Sequence, residues 1–222
     1  MTIMEAIQKR HSVRRYSEQK VEGDVLAALQ DDVNKCNDES GLCIRLVTEQ
    51  PYITGGVLAK LVGLRFSGVK NYIVLAGTDH ANLDEKAGYY VERLVLKAQQ
   101  LGLNTCWVAA IGKKQFSANL NAGERIVIIV TFGFGESQGL PRKSKPLESL
   151  CKVDGDMPDW FRSGIEAAML APTALNRQKF LFTLAGNTVK AEYDNGNFSK
   201  IDLGIVKYHF EVCAGVENFT WL

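Results

Sequence analysis

The run Ile126-Val127-Ile128-Ile129-Val130-Thr131-Phe132 constrains this chain more than any other feature. It carries no charge and is apolar at both odd and even positions, so neither side of a strand built from it can face water. Such a strand belongs in the middle of a sheet covered on both faces. Asn71 to Ala76 is a second buried strand, ended by Gly77, and Leu42 to Val47 a third candidate. Asn104 to Val108 re-enters as an extended segment. Phe180 to Leu184 and Thr188 to Tyr193 form two more strands around the turn Gly186-Asn187.

Helical spacing surrounds these strands. Met4 to Arg10 is a short helix, Gly23 to Cys36 a longer one, and Trp160 to Leu170 and Ile201 to Ala214 two more. The clearest runs from Asp84 to Leu101. There Ala87, Tyr90, Val91, Leu94, Val95, Ala98 and Leu101 recur at three- and four-residue steps, and Gly102 supplies the stop. Lys113 to Leu120 reads as a short helix, Pro51 to Ser67 as mostly loop with a turn of helix, and Gly133 to Pro146 as loop. Strands enclosed by helices, with hairpin-like connections late in the chain, predict an α+β sandwich of antiparallel or mixed sheets.

The 222 residues can bury a full core as one domain or as two tightly fused ones. Hydrophobic residues at 46% and charged residues at 23% fit a water-soluble chain. A net charge of +1 creates no global field toward nucleic acid or an anionic membrane, and no apolar run is long enough to span a bilayer. The start carries Glu5 and lacks an apolar segment before Lys9 and Arg10, so no signal peptide is expected. Five scattered cysteines without a C-x-x-C fit reduced thiols in a cytoplasm. G-x-S-x-G, Walker and metal-ligand spacings do not occur. His80 and His209 have no partner motif, and His209, between Tyr208 and Phe210, reads as packing.

A weak internal repeat runs through the sequence. Val25 to Val47 and Phe161 to Leu184 both read helix, polar turn, strand. Tyr90 to Trp107 and Ile205 to Trp221 both read long apolar helix, glycine, short strand reaching a tryptophan. Chance similarity competes with duplication here. If duplication holds, residues 1–152 and 156–222 are two halves of a single unit spanning 1–222, joined near Cys151 to Pro158.

Two clusters carry the chemistry. Arg10, Ser12 and Arg14 alternate where a helix passes into extended chain, so two guanidinium groups and a hydroxyl can face one anion. A solvated basic turn capping the helix explains the same residues. Arg142-Lys143-Ser144-Lys145, after the central strand, is a second source of phosphate donors or a plain surface loop. Near the end, Pro172 stops a helix, Thr173 and Ala174 keep the turn slim, and Asn176 and Gln178 present amides. Slim backbone with amides suits the edge of a flat heteroaromatic ligand, and an ordinary helix-ending turn is the competing account.

With these residues in place, the chain resembles the nitroreductase family, FMN-dependent enzymes of the flavin reductase-like fold. The resemblance rests on Ala6-Ile7 with Arg10 to Tyr16, on Leu96 to Trp107, on Ile126 to Gly133, on Lys143 to Leu147, and on Leu170 to Gln178. In most of that family the Pro-Ser-x-x-Asn-x-Gln-type turn comes early, and FMN lies between the subunits of a homodimer. Here the turn stands in the rear of the chain, and the front equivalent around Cys36 to Leu42 lacks it. That order is similar to a branch in which one chain holds two fused half-repeats and imitates the dimer.

The resemblance implies one FMN per chain. Arg10, Ser12, Lys143 and Lys145 would hold its phosphate and pyrimidine end, with His11 and Arg14 close by. Pro172, Thr173, Ala174 and Asn176 would line the opposite side, and Ala109 and Ala110 would face the ring near N5. Lys179-Phe180 replace the Pro-Trp that usually follows the turn. It further implies hydride from NAD(P)H and a nitro-aromatic, quinone or flavin-like acceptor as small-molecule partners. The chain would be a monomeric pseudo-dimer or a weak homodimer, with no catalytic side chain of its own. A flavin-binding protein without turnover, for storage or sensing, and an interaction domain that kept only the fold are the alternatives.

Overall fold

The computed structural model describes residues 1–50, 66–108, 116, 120 and 122–222. The helix expected over Lys113 to Leu120 and the loop expected over Pro51 to Ser67 lie almost wholly outside them. Helix α1 (Ile3–Lys9) is opened by a capping box, in which the Thr2 hydroxyl accepts from the Glu5 N–H and the Glu5 carboxylate accepts from the Thr2 N–H. Helix α2 (Gly23–Ser40) runs one turn beyond the apolar periodicity, through Asn37, Asp38 and Glu39, and stops at Gly41 in the left-handed conformation.

Strands β1 (Cys43–Val47), β2 (Asn71–Thr78), β3 (Asn104–Val108) and β4 (Glu124–Gly133) make a four-stranded sheet ordered β1-β2-β4-β3, antiparallel throughout. As its parity requires, β4 is buried from Ile126 to Gly133 and flanked on both sides. A register shift opposite Leu75 and Ala76 sets Val127 and Ile128 toward the same core, while Ile126 and Ile129 join a smaller cluster on the other face. Helix α3 (Leu83–Gln100) crosses between β2 and β3.

The second sheet is mixed. Strands β5 (Cys151–Val153), β6 (Phe180–Ala185), β7 (Thr188–Tyr193) and β8 (Thr220–Trp221) lie in that order. The β6–β7 hairpin is antiparallel, and both edge strands pair in parallel. Strand β5 arrives from the front of the chain, so a boundary near 152–156 passes through a strand of the rear sheet. Helix α4 (Asp159–Met169) precedes β6, and α5 (Ser199–Ala214) lies between β7 and β8. One hydrophobic core joins both sheets, from Leu29 and Val91 in front to Phe182 and Phe210 behind.

Helices α3 and α5 cross at two glycines. A Cβ on Gly88 would fall 2.0 Å from the carbonyl oxygen of Ile201, and a Cβ on Gly204 would fall 2.0 Å from that of Glu85. Each glycine therefore meets the carbonyl three residues before the other, a reciprocal contact that only a bare Cα permits. The Lys207 ammonium pairs with Glu85 at 2.5 Å, and Tyr89 donates to Glu211, tying the crossing at its edge. Among the described residues no helix is long and apolar enough to cross a membrane.

Candidate functional site

The basic segment is built onto the end of the front sheet. Where α1 stops, Arg10 turns extended, and the chain runs beside β3 with the Val13 N–H donating to the Thr105 carbonyl at 3.0 Å. The Tyr16 hydroxyl donates to the Val13 carbonyl at 2.8 Å and meets Thr131 Oγ1 at 2.8 Å, which pins the segment to β4. Gly139, at φ +78°, lets the loop after β4 lie against His11, where a Cβ would come within 2.7 Å of the His11 Cβ.

Arg10, Ser12 and Arg14 all act on the Cys106 thiol of β3. Burial pushes that thiol's pKa up, against the opposing pull of Arg14, of Arg10 and of a hydrogen bond from Ser12. Their exposure differs sharply. Arg14 lies at the surface, His11 and Ser12 are half-buried, and Arg10 is 1% exposed. Among the described residues Arg10 Nε and Nη1 are buried without a hydrogen-bond partner, and the nearest carboxylate oxygen, of Glu92, is 3.8 Å from Nε.

The rear turn joins the same place. Arg142 spreads its fork between two distant stretches, with Nη2 donating to the Arg10 carbonyl at 3.0 Å and Nη1 to the Leu170 carbonyl. Gln178 is buried and clamps the turn from within. Its Oε1 accepts from the Lys145 N–H at 2.7 Å, its Nε2 donates to the Met169 carbonyl at 3.0 Å, and its own carbonyl takes the Lys145 ammonium at 2.9 Å. The Asn176 amide donates to the Lys143 carbonyl at 2.9 Å, and the Thr173 hydroxyl accepts from the Gln178 N–H at 3.1 Å. Front motif, basic loop and rear turn thus form one cluster.

Leu175, Asn176 and Gln178 have φ of +54°, +53° and +46°. Left-handed backbone at a non-glycine residue costs on the order of 1–3 kcal/mol and persists where the surroundings impose it. Here the Asn176 and Gln178 amides impose it, and Leu175 is left 79% exposed at the tip. Lys145 keeps two of its three N–H groups beyond the Gln178 carbonyl, and the Lys143 ammonium is at the surface. Pro172, Thr173 and Ala174 are half-buried beside them, and Ala109 and Ala110 lie outside the described residues.

Asp202, at the start of α5, holds the turn from below and was not singled out by the sequence. Its carboxylate accepts from the Ala174 N–H at 3.0 and 3.1 Å and from the Tyr193 hydroxyl at 2.7 Å. Burial dominates these bonds and pushes its pKa up to about 6. The folded protein then holds this proton more tightly than an unfolded chain does. Stability from this group is complete below about pH 4 and is lost as pH rises through about 6, by roughly 2–3 kcal/mol. Asp202→Asn keeps an oxygen for Ala174 but cannot titrate, so urea denaturation should show the wild type losing that stability relative to the variant between pH 4 and pH 7. Parallel pH profiles would rule this out.

Against known proteins, the family model described as "Putative TM nitroreductase" matches residues 2–214. The chain belongs to this nitroreductase family. Similar solved structures include a "putative nitroreductase" from Thermotoga maritima, 24% identical, with a TM-score of 0.65 over 96% of this chain and 83% of that one. A nitroreductase-like structure from Desulfovibrio desulfuricans in complex with FMN is 17% identical, with a TM-score of 0.55 over 71% of this chain and 99% of that one. Another with FMN, from Exiguobacterium sibiricum, is 14% identical, with a TM-score of 0.53 over 67% and 95% of the two chains. At these identities the likeness establishes the fold. No protein of curated function matches the sequence.

Within this nitroreductase-family chain, the late position of the turn has a visible basis. Only residues 41–42 connect α2 to β1, whereas residues 170–179 connect α4 to β6. The front connection is too short for such a turn, and Asn37 closes it by exchanging two hydrogen bonds with the Ile44 main chain at 2.8 and 2.9 Å.

Proposed function

We propose that this nitroreductase-family protein is an FMN-dependent oxidoreductase that takes hydride from NAD(P)H and reduces a nitro-aromatic, quinone or flavin-like acceptor, with its cofactor at the junction of Arg10–Arg14, Arg142–Lys145 and Pro172–Gln178. The observation that carries it is the Arg142 fork, which bonds the Arg10 and Leu170 carbonyls and so brings front and rear motifs to one place. FMN in two neighbours of the same fold supports the choice of cofactor.

The residues present fit that group. Arg10 offers buried Nε and Nη1 donors that no described residue answers, matched to the acceptor edge of a flavin's pyrimidine ring. Lys143, Lys145 and Arg14 offer charge for a phosphate, and Ser12 a hydroxyl. Pro172, Thr173 and Ala174 keep the facing wall slim, while the Gln178 clamp holds that wall rigid. When bound, FMN supplies the redox chemistry by accepting a hydride and passing on two electrons. The chain's own part is to bind, to orient, and to keep positive charge near the ring.

The same arrangement supports a duplicated origin, with residues 1–152 and 156–222 as half-repeats imitating a dimer. The order β6-β7-α5-β8 repeats β1-β2-α3-β3, and the reciprocal contact of Gly88 and Gly204 is what a twofold relation between α3 and α5 requires. One FMN per chain then needs no second copy.

The deciding experiment is anaerobic. Purified protein loaded with FMN should be yellow and should bleach on addition of NADH or NADPH, then recover its colour with a quinone or nitro-aromatic. Colourless protein that takes up no FMN rejects the reading, and bound flavin that neither nucleotide bleaches leaves a binding protein instead. The double substitution Arg10→Ala with Lys145→Ala removes two charged donors, each worth roughly 1.5–3 kcal/mol. FMN affinity, read from quenching of flavin fluorescence, should fall at least about tenfold with the fold retained. Unchanged affinity would move the cofactor elsewhere.

A further inference from the structure

A buried trio lies behind the junction. Glu92 of α3 and His209 of α5 are both 0% exposed and stand on the two crossing helices. His209 Nε2 is 2.8 Å from Glu92 Oε1, and its Nδ1 is 3.1 Å from the Ala167 carbonyl. The Trp107 indole donates to Glu92 Oε2 at 2.9 Å. Arg10 Nε faces the same Glu92 Oε1 at 3.8 Å, within ion-pair reach but beyond a hydrogen bond.

Counting protons gives the charge of this trio. A carbonyl can only accept, so His209 Nδ1 carries a hydrogen. The contact between Nε2 and Oε1 then holds one more, whether it sits on the nitrogen of an imidazolium or on the oxygen of a carboxylic acid. The Trp107 N–H suits both cases. In both, Glu92 and His209 sum to zero, and the guanidinium charge of Arg10 is left uncancelled. That single positive charge is buried, with two donors unanswered among the described residues, an arrangement that costs stability unless a ligand completes it.

We infer that Glu92 and His209 are positioning residues for Arg10. They fix its guanidinium at the junction while His209 neutralises the Glu92 carboxylate, so that one positive charge is kept for the electron-rich edge of a bound flavin. The inference rests on the flavin reading and deepens it.

Three FMN-loaded proteins test it: wild type, His209→Gln, and the double variant Glu92→Gln/His209→Gln. In the single variant the Glu92 carboxylate has no imidazole proton to share and cancels Arg10, so the trio's charge falls from one to zero. The double variant removes the carboxylate as well and restores it. The readouts are FMN affinity, from fluorescence quenching, and the midpoint potential of the bound flavin, from an anaerobic spectroscopic titration.

The single variant should bind FMN about tenfold more weakly. It should also lose about tenfold in preference for the reduced over the oxidised flavin, a midpoint about 30 mV lower for a two-electron couple. The double variant should recover both to within about threefold of wild type. A purely structural role predicts the reverse, with the double variant worse than the single one. If the single variant does not fold, the double variant still decides, because a midpoint 30 mV or more below wild type overturns the inference. Wild type that binds FMN, with all midpoints equal, overturns the role alone. Wild type that binds no FMN overturns the flavin reading and this role together.

Discussion

Gly88→Ala and Gly204→Ala are each expected to cost at least about 4 kcal/mol, in the range that marks a specific structural failure. The added Cβ would stand 2.0 Å from a backbone oxygen of the opposite helix, far inside the roughly 3.5–4.0 Å of ordinary contact. That oxygen belongs to a helix and cannot swing aside like a side chain. The helices must separate, and the separation strips contacts from Ala87, Val91, Ile201 and Ile205, all buried along the crossing. Alanine's better helix propensity returns only about 1 kcal/mol. Against a total stability of roughly 5–15 kcal/mol, the melting temperature should drop by about 8–16 °C.

Reciprocity adds a sharper expectation. Once α3 and α5 have moved apart for one methyl group, the second finds the space partly open. The double variant should therefore cost less than the sum of the singles, by roughly 1–3 kcal/mol. Urea denaturation of the four proteins measures it. A single alanine variant within 1 kcal/mol of wild type, or strict additivity, would mean that the crossing is looser than described. Failure here would also weaken the twofold relation between the helices and with it the proposed duplication.

What the sequence could reveal was whatever repeats within about twenty residues. The central strand was legible because its apolar residues occupy both parities, and α3 because its stripe ends at a glycine. The register shift at Val127 was not legible, since a bulge leaves no mark in an unbroken apolar run. Nor was β5, whose three residues include an exposed Lys152 and whose partners each lie 31 positions further on. The last turn of α2 is polar and stands because Gly41 caps it.

The candidate site divides along the same line. Arg10, Ser12, Lys143, Thr173 and Asn176 sit in local clusters, and the structure brings those clusters together. Arg10 nevertheless proves to be buried where a basic turn suggested a solvated one, a difference that depends on α3, whose Glu92 faces it across 3.8 Å. His209 read as packing because its partner Glu92 is 117 positions away. A charged residue on the buried stripe of α3, one place after Val91, was the signal that could have found the pair. Arg142 and Gln178 were visible as residue types, but not as the clasp and clamp that close the turn.

The clasp makes Arg142→Ala the substitution with the largest expected loss of cofactor affinity. Its two bonds to carbonyls are charge-assisted, each worth roughly 1.5–3 kcal/mol, and they join segments 160 positions apart, at Arg10 and Leu170. Without them the strained turn at Leu175 to Gln178 loses one of its anchors to the front of the chain. FMN affinity should fall by about ten- to a hundredfold. The stabilisation that saturating FMN gives in a thermal melt should shrink with it, because that shift follows the logarithm of ligand concentration over dissociation constant. Arg142→Lys keeps the charge but not the fork, and a single ammonium reaches two carbonyls poorly, so it should recover only part of the loss. Lys143→Ala removes a surface charge and should cost far less, within about 1 kcal/mol. Equal losses at Arg142 and Lys143 would mean that charge alone, and no bridge between the two ends of the chain, sets the affinity.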